Sequence, residues 1–162
     1  MIKLEQYRDT WLSEKMDEVI GFYPREFYPL DNFSSFKVEV DGYLYSSLEE
    51  AYQSMLFLPD YPEISNLIKN SHSAHEAQKI MIENSKKVKY NDEERIIIME
   101  RLLRLKLEQN PYVKKKLLQT GDYMIVEDSP KDSFWGWGPN RDGENQLGRL
   151  WMKLRNEIKS KK

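Results

Sequence analysis

The sequence contains no cysteine, which excludes disulfides, thiolate catalysis and cysteine-based metal sites. Its only two histidines, His72 and His75, lie three positions apart without a clear third ligand, so no metal site is expected. No apolar run approaches the ~20 residues that span a bilayer. No apolar segment of the signal-peptide kind is visible near the N-terminus either. These absences predict a cytoplasmic protein with no membrane partner.

Sequence motifs of nucleophilic, zinc-dependent and nucleotide-binding sites are also missing. There is no nucleophile elbow, no zincin pattern, and no glycine loop of the P-loop or dinucleotide-binding kind. Serine–histidine catalysis therefore has little support, and no cofactor is expected. The net charge is −2 with both signs interspersed, which argues against broad, nonspecific binding to nucleic acid.

What is present is the composition of a soluble globular domain. The 162 residues are 40% hydrophobic and 32% charged, which suits one domain with one sizeable core. Residues 2–20 carry apolar side chains at near-helical spacing, so we expect an N-terminal helical extension over 1–20 ahead of a domain over 21–158. That extension would cover the domain or bind a partner.

Local signals predict a mainly α-helical (α+β) fold with a small β-hairpin or sheet. Val38 and Val40 alternate with polar residues, and Asp41-Gly42 supplies the tight turn of a hairpin. Cap residues, prolines and apolar periodicity predict the remaining elements. These are helices near 46–57, 63–70, 73–84, 91–109 and 111–118, a strand over 123–126, and a last helix from 145.

The helix after the hairpin offers the first candidate site. Its residues Glu49, Tyr52, Gln53 and Leu56 follow the i, i+3, i+4, i+7 spacing of one face. A carboxylate, a phenol and an amide on one face could hold a sugar through hydrogen bonds. Two capping boxes are possible here, Ser46 with Glu49 or the pair one residue later, so Glu49 has the alternative interpretation of a helix cap.

The second candidate is the stretch 127–148. Its prolines and glycines exclude a helix or a long strand, yet it holds two of the four tryptophans. Such a loop is typical of a pocket wall, and the alternative is a loop that anchors one tryptophan in the core. Asp132 is open in the same way, because an acid two residues after a proline often closes a turn.

Several sequence blocks resemble, in the same order, those of one known family. They are Phe22-Tyr23, Leu30 to Phe33, Ser47 to Gln53, Leu105 to Leu107, Leu117 to Asp122, Val126-Glu127, Asp132, Trp135-Gly136, and Gly143 to Gly148 with Met152 and Arg155 behind. Together they resemble the NADAR (YbiA-like) N-glycosidase family over residues 21–155. The resemblance implies a single compact, mainly helical domain.

It also implies hydrolysis of an N-glycosidic bond between a ribose-phosphate moiety and a base or amine. Family substrates include aminouracil intermediates of the riboflavin pathway and ADP-ribose attached to guanine in nucleic acid. The implied partners are therefore a small-molecule ribosyl-phosphate or ADP-ribose substrate, and ADP-ribosylated nucleic acid.

Carried over by position, the resemblance makes Glu49 and Asp132 the catalytic acids. Breaking a ribosyl C–N bond builds oxocarbenium character, which a carboxylate stabilises, and a carboxyl group can also move a proton. The indole of Trp135 offers a stacking face to the base. The implied substrate-binding set is Asn32, Phe33, Tyr52, Gln53, Trp135, Gly136 and Asn145. We expect the two acids and the indole to meet at one pocket.

Some positions depart from the family pattern. Leu56 stands where the family usually has a lysine, Asp31 where serine is usual, and Tyr90 where a tryptophan precedes the long helix. The loss of the lysine motivates an alternative function, a module that binds ADP-ribose or a nucleotide with altered catalysis.

Overall fold

The computed structural model describes residues 15–16, 19–21 and 27–161. These ranges contain the helices α1 Leu48–Met55, α2 Pro62–Lys69, α3 Ala74–Glu83, α4 Asp92–Gln109, α5 Pro111–Gln119 and α6 Gln146–Ser160. They also contain the strands β1 Lys15–Met16, β2 Val19–Gly21, β3 Val38–Val40, β4 Tyr43–Tyr45 and β5 Met124–Val126. The predicted class, mainly α with small sheets, is confirmed. Within the described ranges no helix has the length and apolarity to cross a membrane.

Side-chain caps begin three of the helices at the predicted places. Ser47, Ser73 and Asn91 each accept a hydrogen bond from the backbone N–H three residues later. At Asn91 the carboxylate of Glu94 also accepts from the backbone N–H of the cap residue, which completes a capping box. The local rules for helix starts therefore locate the first residues of these three helices.

Residues 32–111 form one compact unit. Its hairpin pairs β3 with β4 antiparallel, Val38 opposite Tyr45. Asp41 and Gly42 both have positive φ, 49° and 86°, as the twist-compatible two-residue turn requires. Helix α1 packs against α2, α3 and α4, and α4 also packs against β3.

The described residues of 1–31 form a second unit with 112–162. Its sheet has the order β1-β2-β5, with β2 antiparallel to β1 and parallel to β5. Helix α6 packs against β5. The indole Nε1 of buried Trp151, on α6, donates to the Leu30 carbonyl at 2.9 Å.

The helix predicted over 2–20 is wrong where the structure describes it. Residues 1–14 and 17–18 lie outside the described residues, but 15–16 and 19–21 are strands. Ile20 is fully buried and pairs with Ile125 in β5. β-Branched residues favour strands, and a strand partner about a hundred residues away leaves no trace in local spacing.

Candidate active site

The helix cap decides what Glu49 does. Ser47 accepts from the Glu50 backbone N–H, and the Glu50 carboxylate accepts from the backbone N–H and the hydroxyl of Ser46, at 3.2 and 2.8 Å. Ser47 is therefore the N-cap, and the Glu50 carboxylate is bonded to the residue before it. The interpretation of Glu49 as the capping acid is wrong, because the helix is capped one residue later than Ser46 and the Glu49 carboxylate is bonded to Gln53.

Glu49 lies instead in a buried polar cluster in the 32–111 unit. Its Oε1 accepts from the Gln53 side-chain amide at 2.5 Å, one helical turn on. Its backbone N–H donates to the carbonyl of Asn32 at 3.0 Å. All three residues are at most 6% exposed. The structure thus brings together three of the predicted site residues, with Gln53 bonded to the Glu49 carboxylate and Asn32 to its backbone.

Two acceptors of this cluster stand out. The side-chain oxygens Asn32 Oδ1 and Gln53 Oε1 are buried and have no hydrogen-bond partner among the residues that the structure describes. Buried polar atoms in folded proteins are nearly always paired, so such atoms call for an explanation. They lie on both residues that contact Glu49.

Helix α4 contributes a buried cation next to this cluster. Lys106 is fully buried, and its ammonium donates to the Ser34 hydroxyl at 3.1 Å. Met99, two turns earlier on α4, accepts a weak bond from the Asn32 amide at 3.6 Å. The turn holding Asn32 and Ser34 therefore lies along one face of α4. In the sequence Lys106 resembles a salt-bridging surface residue, although its i+7 spacing from Met99 places it on the apolar stripe.

Aromatic side chains accompany the cluster. Half-buried Phe33 follows Asn32 directly, and its ring stacks on His75 with centroids 4.8 Å apart and planes at 29°. Tyr52 is buried on α1 beside Gln53. In the described part of the chain no group of three or more His, Asp or Glu residues is arranged to hold a metal ion.

The lysine position of the family pattern is apolar in this fold. Leu56 is 3% exposed and follows the end of α1, where its N–H still donates to the Tyr52 carbonyl. A buried leucine side chain supplies no charge.

In the second unit, backbone bonds hold the loop 127–148. The N–H groups of 144–147 donate to the carbonyls of 133–136 at 2.8–3.0 Å. Gln146 and Leu147 open α6, so the first free N–H groups of that helix are satisfied by the loop. At Gly136 a Cβ would come within 2.7 Å of the Glu127 carbonyl, so only glycine fits this approach.

Asp132 closes a turn, as one interpretation held. Its Oδ1 accepts from the backbone N–H groups of Phe134 and Trp135 at 2.9 and 2.8 Å. Asp132 and Trp135 are both half-buried. The rings of Phe134 and Trp135 meet edge to face at 4.8 Å. The turn therefore sets where the Trp135 indole lies.

The other loop tryptophan is the anchor. Trp137 is fully buried, and its Nε1 donates to Asp128 at 2.5 Å. Arg141 Nε lies 3.7 Å from the same carboxylate oxygen, and its guanidinium lies 5.5 Å from the Trp137 ring. The anchoring interpretation of the loop thus applies to Trp137, and the pocket-wall interpretation stays a prediction for Trp135. The buried Asp128–Arg141 pair was not predicted, since nothing in the spacing separates Asp128 from Asp132.

Asn145 is committed to the backbone. Its Oδ1 accepts from Glu127 N–H, and its Nδ2 donates to the Ile125 carbonyl, both at 2.9 Å. It is 1% exposed and has the left-handed φ of 52°. These bonds join the end of β5 to the start of α6. Its predicted role in substrate binding stays a prediction.

A second buried cation supports the same unit from α6. Arg155 donates to the Thr120 hydroxyl at 2.9 Å and to the Tyr123 carbonyl at 2.7 Å. Burial lowers the pKa of its guanidinium, and the nearby Asp122 carboxylate acts in the opposite direction. The bonds fix the turn that precedes β5.

Comparison with known proteins identifies the class. N-glycosidase YbiA of Escherichia coli (strain K12) is 30% identical over 145 residues, which are 88% of this chain and 89% of that protein. A riboflavin biosynthesis protein of Vibrio vulnificus is 32% identical over 149 residues, 90% of this chain and 40% of that one. The solution structure of E. coli YbiA superimposes with a TM-score of 0.79 at 26% identity, over 98% of this chain and 93% of the other. Fold and relatives put the chain in the N-glycosidase class of enzymes.

The family model for the NADAR domain matches residues 14–159. The chain belongs to the NADAR domain family, which confirms the resemblance found in the sequence. The match begins at residue 14, ahead of the boundary predicted at 21.

Proposed function

We propose that this N-glycosidase hydrolyses the bond between a ribose phosphate or an ADP-ribose and a base or amine, with Glu49 as the principal carboxylate. The observation that carries the proposal is the buried Glu49 side chain, held by Gln53, while Ser47 caps the helix and Glu50 is bonded to Ser46. A carboxylate kept away from water stabilises a developing oxocarbenium ion more strongly than an exposed one.

The remaining roles follow the chemistry of each side chain. Asp132 is the second acid, and the Trp135 indole stacks on the leaving base. Gly136 allows the close backbone approach directly after Trp135. Asn32, Phe33, Tyr52 and Gln53 bind substrate beside Glu49, and Asn145 contributes to binding through the loop that carries Trp135, which its two backbone bonds hold. The similarity to a riboflavin biosynthesis protein supports an aminouracil ribosyl phosphate as one substrate.

Further partners belong to the same proposal. ADP-ribose attached to guanine, free or in nucleic acid, presents the same ribosyl C–N bond and is the second substrate class. The proposed location is the cytoplasm, where such nucleotide intermediates occur and where a chain without cysteine needs no oxidising environment.

The test follows released base by mass spectrometry, with the aminouracil ribosyl phosphate and with ADP-ribosylated guanine. Glu49→Gln keeps an oxygen that can accept from Gln53 and removes only the charge, so kcat should fall by about 10²-fold or more. Glu50→Gln is the matched control, because a glutamine oxygen can still accept from Ser46, and its kcat should stay close to that of the parent. No release from either substrate at high enzyme concentration would reject the function.

One observation favours a second function, a binding module with altered catalysis. Leu56 is a buried aliphatic side chain where the family pattern has a lysine. Calorimetry with ADP-ribose separates the two functions. A module would bind ADP-ribose without turnover in the parent protein. An enzyme would show turnover in the parent, and Glu49→Gln would abolish that turnover while keeping the affinity.

A further inference from the structure

The chemistry of the contacts fixes the orientation of both side-chain amides next to Glu49. Gln53 faces a carboxylate oxygen at 2.5 Å, which only its NH₂ group can approach favourably. Asn32 faces the Met99 sulfur at 3.6 Å, and a thioether is an acceptor, so here too the NH₂ group is in contact. Turning either amide over would set two acceptors against each other. The oxygens of both amides therefore point elsewhere.

These two oxygens, Asn32 Oδ1 and Gln53 Oε1, are buried amide acceptors without a partner in the described residues. Their residues are 94% and 97% buried, from relative exposures of 6% and 3%. An unpaired buried acceptor is costly, and it is retained at binding sites because a ligand donor completes it. The pair points to a ligand with at least two hydrogen-bond donors.

Acceptors discriminate between the parts of a nucleotide. A phosphate at neutral pH presents acceptor oxygens and negative charge, both of which two amide oxygens and the Glu49 carboxylate disfavour. Ribose presents hydroxyl donors. The carboxylate that stabilises C1 of the sugar must lie near it, and the 2-hydroxyl is on the adjacent carbon. Gln53 is bonded to that carboxylate and Asn32 to the backbone of the same glutamate, so both are placed to meet the sugar hydroxyls.

We infer that Asn32 and Gln53 form a subsite that reads the ribose hydroxyls, so that the protein selects ribosides over 2-deoxyribosides. The inference rests on the proposed function and assigns one part of the substrate to one group of residues. A missing hydroxyl leaves a buried acceptor unpaired, which corresponds to about 10- to 100-fold in kcat/KM. A 2-deoxyriboside lacks an electron-withdrawing hydroxyl and is intrinsically the more labile compound, so its slower cleavage would come from recognition.

The experiment measures kcat/KM for the aminouracil ribosyl phosphate and for its 2-deoxyribosyl counterpart. The parent protein should prefer the riboside by at least about tenfold. Asn32→Leu replaces the amide with an apolar group of nearly the same shape and keeps the backbone carbonyl that accepts from Glu49. This variant should lose riboside activity, keep deoxyriboside activity, and unfold at an unchanged or higher urea concentration, because an unpaired acceptor has been removed.

A merely structural role for Asn32 would lower stability and slow both substrates equally. Asn66→Leu, the same change at an exposed position of α2, is the control and should leave the preference unchanged. A preference near one in the parent, or a preference that survives Asn32→Leu, would overturn the inference while leaving the N-glycosidase function intact.

Binding distinguishes failure of the function from failure of the subsite. If neither compound is cleaved, calorimetry with ribose 5-phosphate and 2-deoxyribose 5-phosphate tests the subsite alone. Tighter binding of ribose 5-phosphate, lost in Asn32→Leu, would support the subsite although the reaction had been assigned wrongly. Equal binding of the two, or binding of neither, would reject it.

Discussion

Replacing Asn145 should destabilise the 112–162 part of its unit by an amount that can be worked from its contacts. Asn145→Ala removes two hydrogen bonds of 2.9 Å, one to Glu127 N–H and one to the Ile125 carbonyl. Each such loss at a buried backbone group costs about 1–2 kcal/mol, so we expect a loss of about 2–4 kcal/mol in the free energy of unfolding. Alanine also has to hold a φ of 52°, which adds to the cost.

Two further variants separate these contributions. Asn145→Gly loses the same bonds but adopts the left-handed backbone freely, so it should be more stable than Asn145→Ala by about 1 kcal/mol. Asn145→Asp keeps the acceptor for Glu127 N–H but sets a buried carboxylate oxygen against the Ile125 carbonyl, so it should be at least as unstable as the alanine variant.

Urea unfolding, followed by tryptophan fluorescence and by far-ultraviolet circular dichroism, supplies the free energies by linear extrapolation. Coincident transitions by the two probes are required for that treatment. Asn140→Ala, an exposed asparagine in the same loop, is the control and should change the free energy by less than about 0.5 kcal/mol. A loss below about 1 kcal/mol in Asn145→Ala, or a glycine variant less stable than the alanine variant, would refute the assignment of Asn145 as a clamp.

Three further predictions follow from single contacts. Gly148→Ala should cost about 2–3 kcal/mol in urea unfolding, since its Cβ would press on the Ile125 carbonyl in the adjacent strand, and a near-neutral result would contradict that packing. Burial raises the pKa of Tyr45 despite its bond to Ser54, so its contribution is complete below the unfolded pKa of 10.0 and is lost as pH rises through the folded pKa. Tyr45→Phe should therefore flatten the fall in stability above pH 10, and an unchanged alkaline profile would argue against it. Asp132→Asn keeps the turn acceptor and should preserve stability while lowering kcat, whereas Asp132→Ala should also lose about 1 kcal/mol; equal stability of the two would exclude the turn.

The parts of the fold that local chemistry determines could be predicted from the sequence. Ser73 and Asn91 predict the starts of their helices because a cap acts within four residues. Asp41-Gly42 predicts the hairpin because few residue types adopt positive φ at two consecutive positions. The strand at 19–21 could not be found in this way. Its partner β5 lies about a hundred residues later, and apolar side chains there satisfy helical spacing equally well.

At the site, too, local sequence rules predict a helix cap but do not show which of two adjacent glutamates is available for catalysis. The sequence left two registers for the cap of α1, and the choice between them decides whether the catalytic candidate is Glu49 or only a helix cap. In the structure Ser47 caps the helix by accepting from the Glu50 N–H, and the Glu50 carboxylate accepts from both donors of Ser46. Neither propensity nor spacing distinguishes two adjacent glutamates, and both are buried. Their hydrogen-bond partners do distinguish them, Gln53 for Glu49 and Ser46 for Glu50.

The hydrogen bonds of Asn32 and Asn145, the two asparagines that match the family pattern, distinguish their roles. Both are buried, and both were predicted to bind substrate. The side-chain donor and acceptor of Asn145 are both bonded to the backbone. Changing it should therefore lower stability first, and affect activity through the loop that it holds. Asn32 keeps an oxygen without a partner in the described residues, so changing it should alter recognition first. Asn32→Leu and Asn145→Ala, each measured for urea stability and for kcat/KM, should therefore give opposite patterns. The first should change mainly kcat/KM and the second mainly stability. Similar patterns would mean that the hydrogen bonds of a side chain do not separate binding residues from structural ones in this fold.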